Sequence, residues 1–232
     1  MENLARQEEI LDYVKTHKFA SVAELAEMLY TSQATVRRDI EKLEAKGALK
    51  TVYGGAVAVE YEKEPIPIYI RDKENSPKKE KIAAAAARLI KDNSTVIFDS
   101  SSTVRRMCKY IKSRKGLTVV TNNLRVCSEL KDSDVKVVCT GGTLVQKREC
   151  FVGHFAEDFI RRIRADMLFF SSQGISDSGD VTDSSEEEIA LRRVMLDAAK
   201  EKYFLFDSSK KGKEYPFLLC NVSSLDGMLS DD

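Results

Sequence analysis

The stretch Ser21–Gly47, "SVAELAEMLYTSQATVRRDIEKLEAKG", decides how the N-terminal part of the chain is read. Ser21 followed three residues later by Glu24 is a capping-box pattern, in which each side chain satisfies the other's exposed backbone donor. Val22, Leu25, Ala26 and Leu29 then share one helical face. Tyr30-Thr31-Ser32 breaks that helix, and Ser32 is suited to cap the next. The second helix turns Val36, Ile40 and Leu43 inward and stops at Gly47. Two helices joined by so short a turn form the unit that lays its second helix in a DNA major groove.

Leu4, Ile10, Leu11 and Val14 predict a preceding helix over residues 4–17. Beyond Gly47, "ALKTVYGGAVAV" reads as two short strands around a Gly54-Gly55 turn. Three helices and a hairpin make residues 1–59 a winged helix-turn-helix domain. With Val36 inward, Ser32, Gln33, Thr35, Arg37 and Arg38 face outward or sideways. Gln33 suits adenine and an arginine suits guanine. Thr35, an arginine, and Lys50 or Tyr53 on the wing suit phosphates. Residues 1–55 hold eight basic and nine acidic residues, net −1, so the acidic ones are expected away from the groove. A solvated amphipathic helix, or a module that binds protein, is the competing reading.

The whole chain has 232 residues, with 37 basic and 37 acidic, so no global field draws it to nucleic acid or membrane. No apolar run approaches the roughly 20 residues that span a bilayer. The start "MENLARQEEI" is unlike a signal peptide, and a cytoplasmic location is expected. Five cysteines without C-x-x-C spacing predict buried free thiols, with Cys150, beside Lys147 and Arg148, the one place for a redox role. His17 and His154 lack a second ligand at metal spacing, which argues against a zinc centre or a Ser-His-Asp triad. No cofactor is expected.

Three of the four prolines, Pro65, Pro67 and Pro77, fall among charged residues, so residues 60–77 read as a linker. From residue 78 to 232, helical and strand patterns alternate. The apolar runs "STVIFD", "LTVVT", "VKVVCT", "MLFFSS" and "YFLFD" are each preceded or followed by a helical segment. That pattern predicts an α/β domain with a mostly parallel sheet covered on both faces.

Ligands of such sheets lie beyond the carboxyl ends of the strands. Here those ends share a chemical character: Asp99 to Thr103, Thr121-Asn122, Gly141-Gly142, Ser171 to Gly174, and Asp207 to Lys210. Hydroxyls, amides, glycines and one lysine suit a small polyhydroxylated anion, and a sugar phosphate fits. The tetrapeptide Thr-Val-Arg-Arg occurs twice, at Thr35–Arg38 and at Thr103–Arg106. In the second copy Val104 belongs to a buried stripe with Met107, Cys108 and Ile111. Thr103 opens a helix toward the ligand, and at least one of Arg105 and Arg106 is expected in solvent.

In this order and spacing, "SVAELAEMLYTSQATVRRDIEKLEAKGALKTVYGGAV", "FDSSST", "VVTNN", "CTGGTL", "FVG", "QGIS", "GDVTDSSEEE" and "FDSSKKGK" resemble the DeoR-type bacterial transcriptional regulators along essentially the whole chain. The resemblance implies an effector domain with the fold of ribose-5-phosphate isomerase and CoA transferases. It implies a homodimer or homotetramer that represses a carbohydrate-use operon and leaves its operator DNA when a phosphorylated sugar binds. Carried onto matching positions, Asp99, Ser100, Ser101, Ser102, Thr103, Thr121, Asn122, Gly141, Gly142, Gly174, Glu187 or Glu188, and Lys210 would line the effector site. Three departures stand out: Ser101 replaces a usual glycine, Arg105-Arg106 replace apolar or small residues, and a basic residue usual soon after Gly-Gly is absent at Val145, with Lys147 and Arg148 coming later. The alternative is a sugar-phosphate isomerase or CoA-transferase-like enzyme with an appended winged helix, using Asp99, Asp207 and the "SEEE" carboxylates as acid and base.

Overall fold

In the N-terminal unit, Ile10 and Val14 of helix α1 (Glu2–His17) meet Leu25 of α2 (Val22–Met28) and Val36, Ile40 and Leu43 of α3 (Gln33–Ala45) in one core. The capping box forms as its residues require: Glu24 N–H donates to Ser21 Oγ at 3.1 Å and Ser21 N–H to Glu24 Oε2 at 2.9 Å. A strand with no sequence signal, β1 (Phe19–Ser21), joins the wing strands β2 (Leu49–Val52) and β3 (Gly55–Ala58) in the order β1-β3-β2. Gly55 pairs with Ser21 so closely that a Cβ would stand 2.0 Å from the Ala20 carbonyl oxygen, so only glycine fits. This computed structural model describes residues 2–17, 19–52, 54–58 and 68–232, and divides into the units Met1–Glu64 and Pro65–Asp232.

The second unit starts earlier than the prolines suggest. Residues 60–67 of the expected linker lie outside the described residues, but α4 (Ile68–Lys73) and α5 (Ser76–Ala87) are helical. Pro77 stands at the first turn of α5, where its missing N–H has no helical acceptor to lose. Ile68 is buried, and Asn75 donates to Asp207 Oδ1 at 2.8 Å. Residues 68–77 are therefore part of the folded domain and not a linker.

The sheet runs β4 (Thr95–Phe98), β5 (Thr118–Thr121), β6 (Lys136–Cys139), then back across β4 to β9 (Ala165–Phe170), β12 (Ala199–Leu205) and β14 (Gly227–Leu229). Its order is β14-β12-β9-β4-β5-β6 and every pairing is parallel. Successive residues serve opposite faces. Val96, Phe98, Val119 and Phe169 pack with α5, α6 (Ser102–Arg105), α7 (Cys108–Ile111) and α8 (Leu124–Leu130). Ile97, Val120, Leu168 and Phe170 pack with α9 (His154–Arg161) and α10 (Glu186–Ala198). The helix expected over "STVRRMCKYIKS" is two four-residue turns, although its stripe of Val104, Met107, Cys108 and Ile111 is buried as predicted.

Two small antiparallel pieces complete the unit. One is the hairpin of β7 (Thr143–Val145) with β8 (Cys150–Val152). The other is the sheet β10-β11-β13, from β10 (Gly174–Ile175), β11 (Asp180–Asp183) and β13 (Phe217–Asn221).

Candidate functional site

Ser32 caps α3, accepting from Thr35 N–H at 3.2 Å, and its hydroxyl meets Thr35 Oγ1 at 2.9 Å. Those two hydroxyls are thus engaged with each other. Gln33, Arg37 and Arg38 are exposed, and none has a side-chain hydrogen bond or ion pair within the described residues. Asp39, next in sequence, is buried instead. It accepts from Arg6 Nε at 2.6 Å and Gln7 Nε2 at 3.2 Å, which locks α3 against α1. "RRD" thus combines two outward cations with one inward clamp. Lys50 is exposed on β2, and Tyr53 lies outside the described residues. Tyr30, unremarked in the sequence, is 98% exposed at the turn between α2 and α3, with a left-handed φ of 48°.

In the second unit, parallel pairing brings the ends of β4, β5, β6, β9 and β12 to a single edge of the sheet. Under that edge lies a buried charge network. Arg192 reaches Asp99 Oδ2 at 3.1 Å, Asp183 Oδ2 at 2.8 Å and Glu188 Oε2 at 2.6 Å. Arg148 holds the other Glu188 oxygen, and Ser100 Oγ donates to Glu188 at 3.4 Å. Asp99 also accepts the N–H groups of Ser101 at 2.9 Å and Ser171 at 3.1 Å. Burial pushes the Asp99 carboxyl up, against the pull of Arg192. Burial works on Glu188 too, but Arg192, Arg148 and Arg71 outweigh it and hold the group at about 2. Three carboxylates around two guanidiniums position the turns, and neither Asp99 nor Glu188 has an oxygen to spare for a ligand.

Asp99 and Glu188 thus hold the turns from beneath. Glu187 is exposed and outside the network. Gly174 sits in β10, where the Lys213 carbonyl oxygen would stand 2.2 Å from a Cβ, so packing accounts for the glycine. Ser101 has φ −76° and caps Val104 N–H at 3.1 Å, so a serine fits without strain and its side chain turns inward. Thr103 is buried in α6, whose four residues carry little of the dipole expected of a longer helix. Arg105 and Arg106 are not solvated: Arg105 pairs with Asp72 and Glu129, and Arg106 with Glu80. The acids that accommodate them come from α4, α5 and α8, which explains how this chain carries two arginines there.

What remains at the edge is cationic and amidic. Lys210 closes the short 3-10 turn Ser208–Lys210 after β12, capped by Asp207. Loss of surrounding water and the nearby Arg71 push its amine down. Lys79 is buried and donates to the Arg71 carbonyl oxygen at 2.5 Å. Burial, with Lys210 and Arg71, brings its amine down to about 8. Burial pushes Glu74 up beside the same three cations. The Arg71 guanidinium makes no hydrogen bond or ion pair within the described residues, and Ser102 Oγ approaches its carbonyl oxygen at 3.4 Å. Arg71 and Lys79 were hidden in the segment read as linker and helix. Their only sequence signal was a run of cations before "IAAAAA".

Beyond β5, Thr121 Oγ1 accepts Asn123 N–H at 3.0 Å. Asn122 donates to the Phe151 carbonyl oxygen at 2.9 Å, while its Oδ1 is buried without a partner. Asn123 caps α8 through Oδ1, and its Nδ2 is likewise unpartnered. Gly141 and Gly142 turn with φ of 65° and 110° after β6. An unpaired acceptor, an unpaired donor and a set of like charges held together are what a polar anion would satisfy. Asp207 accepts from Asn75 and from Ser209 through Oδ1 alone.

Among the described residues, no helix is long and apolar enough to cross a membrane. Residues 6–62 match the DeoR-like helix-turn-helix domain and residues 74–232 the DeoR C-terminal sensor domain. The chain is 34% identical to the L-fucose operon activator of Haemophilus influenzae over 97% of this chain and 91% of that protein. It is 32% identical to the lactose phosphotransferase system repressor of Staphylococcus epidermidis over 100% and 93%. In fold it is similar to ribose 5-phosphate isomerase A from Methanocaldococcus jannaschii, with TM-score 0.45 and 14% identity over 60% of this chain and 55% of that one. An outward Gln-Arg-Arg helix clamped by Asp39, and a parallel-sheet domain with its turns gathered at one edge, thus carry the matched signatures along nearly the full length, and the chain belongs to the DeoR family of helix-turn-helix transcriptional regulators.

Proposed function

We propose that this protein is a repressor of a carbohydrate-use operon, working as a homodimer or homotetramer in the cytoplasm, and that a phosphorylated sugar releases it from operator DNA. Gln33, Arg37 and Arg38 would read or grip the duplex through α3, with Lys50 on the wing. The sugar phosphate would bind at the carboxyl edge of the sensor sheet. The observation that carries this reading is the unpaired Arg71 guanidinium beside Lys79 and Lys210, at the edge that also holds the unpartnered Asn122 Oδ1 and Asn123 Nδ2. The cations suit the phosphate, and the amides suit sugar hydroxyls.

Repression is the favoured sign because a ligand that binds the DNA-incompetent arrangement more tightly lowers operator occupancy without further machinery. The likeness to a named repressor supports it, while a relative named as an activator marks the opposite sign as the outcome to test against.

Binding without turnover is part of the proposal. Both oxygens of Asp99 and of Glu188 accept from internal donors, which takes these two carboxylates out of the role of general base. Titrating pentose and hexose phosphates while following both thermal unfolding and product formation tests the reading. Saturable stabilisation with an unchanged sugar supports it. Isomerised product, or no stabilisation by any phosphorylated sugar, contradicts it.

A further inference from the structure

Cys127 lies on α8 and Cys139 ends β6, the outermost strand of the parallel sheet. Among the described residues, no neighbouring strand covers Cys139 on its outer side. Helix α8 packs beside β6 and brings both side chains to one place on this edge. Cys139 is exposed and Cys127 half-buried, and they share a cavity of about 330 Å³ with Leu130, Lys131, Val135 and Val137. Two thiols that line one small cavity, on a helix and a strand packed side by side, are placed to be joined.

We propose that Cys127 and Cys139 are a modification site: a hydroperoxide oxidises Cys139, and Cys127 resolves the product into an intramolecular disulfide. The Cys139 thiolate attacks one peroxide oxygen, so an S–O bond forms as the O–O bond breaks. The departing hydroxide or alkoxide takes a proton from water, and Cys139 becomes a sulfenic acid. Cys127 sulfur then attacks Cys139 sulfur, the S–O bond breaks, and the Cys127 proton leaves with the hydroxide as water. In sum, two thiols and one hydroperoxide give one disulfide, one water, and a second water or an alcohol. The two electrons come from the sulfurs.

The division of roles follows from the surroundings. The neighbouring Cys127 holds the Cys139 thiol down to about 6, against burial, with help from the N–H groups of Gly141 and Thr140. The same proximity pushes Cys127 up. The other thiols lie elsewhere on the scale. Burial pushes Cys108 and Cys150 to about 12 and Cys220 to about 11. Cys150, the redox candidate suggested by its basic neighbours, is buried with its thiol pushed up, whereas Cys139 is exposed in a pair that sequence spacing does not reveal.

The test uses the intact protein, treated with one equivalent of hydrogen peroxide and mapped by mass spectrometry. The expected result is one intramolecular Cys127–Cys139 disulfide, reversed by dithiothreitol, with Cys108, Cys150 and Cys220 still free. In Cys127→Ser, a sulfenic-acid trap should label Cys139. In Cys139→Ser, Cys127 should survive the same dose. Alkylation of the unmutated protein at pH 6 provides a readout independent of any variant. A thiol near 6 has about 150 times the thiolate of an ordinary one there, and its weaker nucleophilicity takes back roughly tenfold, so Cys139 should outpace glutathione about tenfold. A disulfide at another pair, a cross-link between chains, or Cys139 alkylation no faster than glutathione would overturn the proposal.

Discussion

Arg192 Nε stands 3.1 Å from Asp99 Oδ2, joining α10 to the end of β4 across 93 residues of chain. Through Asp183 and Glu188 the same guanidinium ties the polar turns of three elements into one support. A buried charge stripped of its partner is costly. Arg192→Leu leaves Asp99 and Asp183 without their counter-charge and should destabilise the sensor unit by about 3–5 kcal/mol. Urea unfolding measures it, and a loss below about 1 kcal/mol would show that the network does not support the turns.

Asp39 does for the helix-turn-helix unit what Arg192 does for the sensor. Asp39→Ala removes an acceptor shared by Arg6 and Gln7 at the α1–α3 contact. The expected loss is about 1–3 kcal/mol, read as a lower midpoint for the N-terminal transition. The exposed face of α3 is untouched, so the salt dependence of DNA binding by the folded fraction should keep its slope.

Arg37 and Arg38 point away from that clamp. Replacing either with alanine should weaken operator binding, and for each arginine on a phosphate reduce the slope of log K against log salt by about 1. Sugar-phosphate binding should not change. Wild-type operator affinity in both variants at matched salt would remove α3 from the groove.

Lys79 makes anion binding sensitive to mild alkali. Its amine is held at about 8, below the ordinary lysine value, and an anion at Arg71 and Lys210 favours its charged form. Affinity for a phosphate ester should therefore be steady below pH 8 and decline as pH rises through about 8, where Lys79 loses its proton. Calorimetric titration between pH 7 and 9 follows this, and Lys79→Met should flatten the profile. A wild-type profile flat across that window would exclude Lys79 from the anion's field.

Much of this architecture is legible in the residues because its signals are local. Ser21 with Glu24 and Ser32 with Thr35 mark helix starts within four residues, and doubly covered strands such as Thr95–Phe98 read as unbroken apolar runs. The strands β7, β8, β10 and β11 are two to four residues long and lack such a run, so nothing distinguished them from loops. Helix α4 was masked by neighbouring prolines and by its own charges. Its Asp72 is explained only by partners far along the chain, Arg105 and Arg125, and Asn75 just beyond it meets Asp207. The site was legible as a set of turns. Its division into supporting carboxylates and unpaired cations was not, because burial separates Asp99 and Glu188 from Arg71 and Lys210.

In the proposed function, an anion held by Arg71 and Lys210 loosens the grip on DNA. The most direct measurement is fluorescence anisotropy of an operator duplex, obtained by selection, as a sugar phosphate is titrated into the full-length protein. The account predicts release from the wild-type chain. It predicts unchanged operator affinity without sugar in Arg71→Ala and Lys210→Ala, and at least about tenfold more sugar for release, as loss of a charge-assisted bond implies. Release of both variants at the wild-type concentration would contradict it.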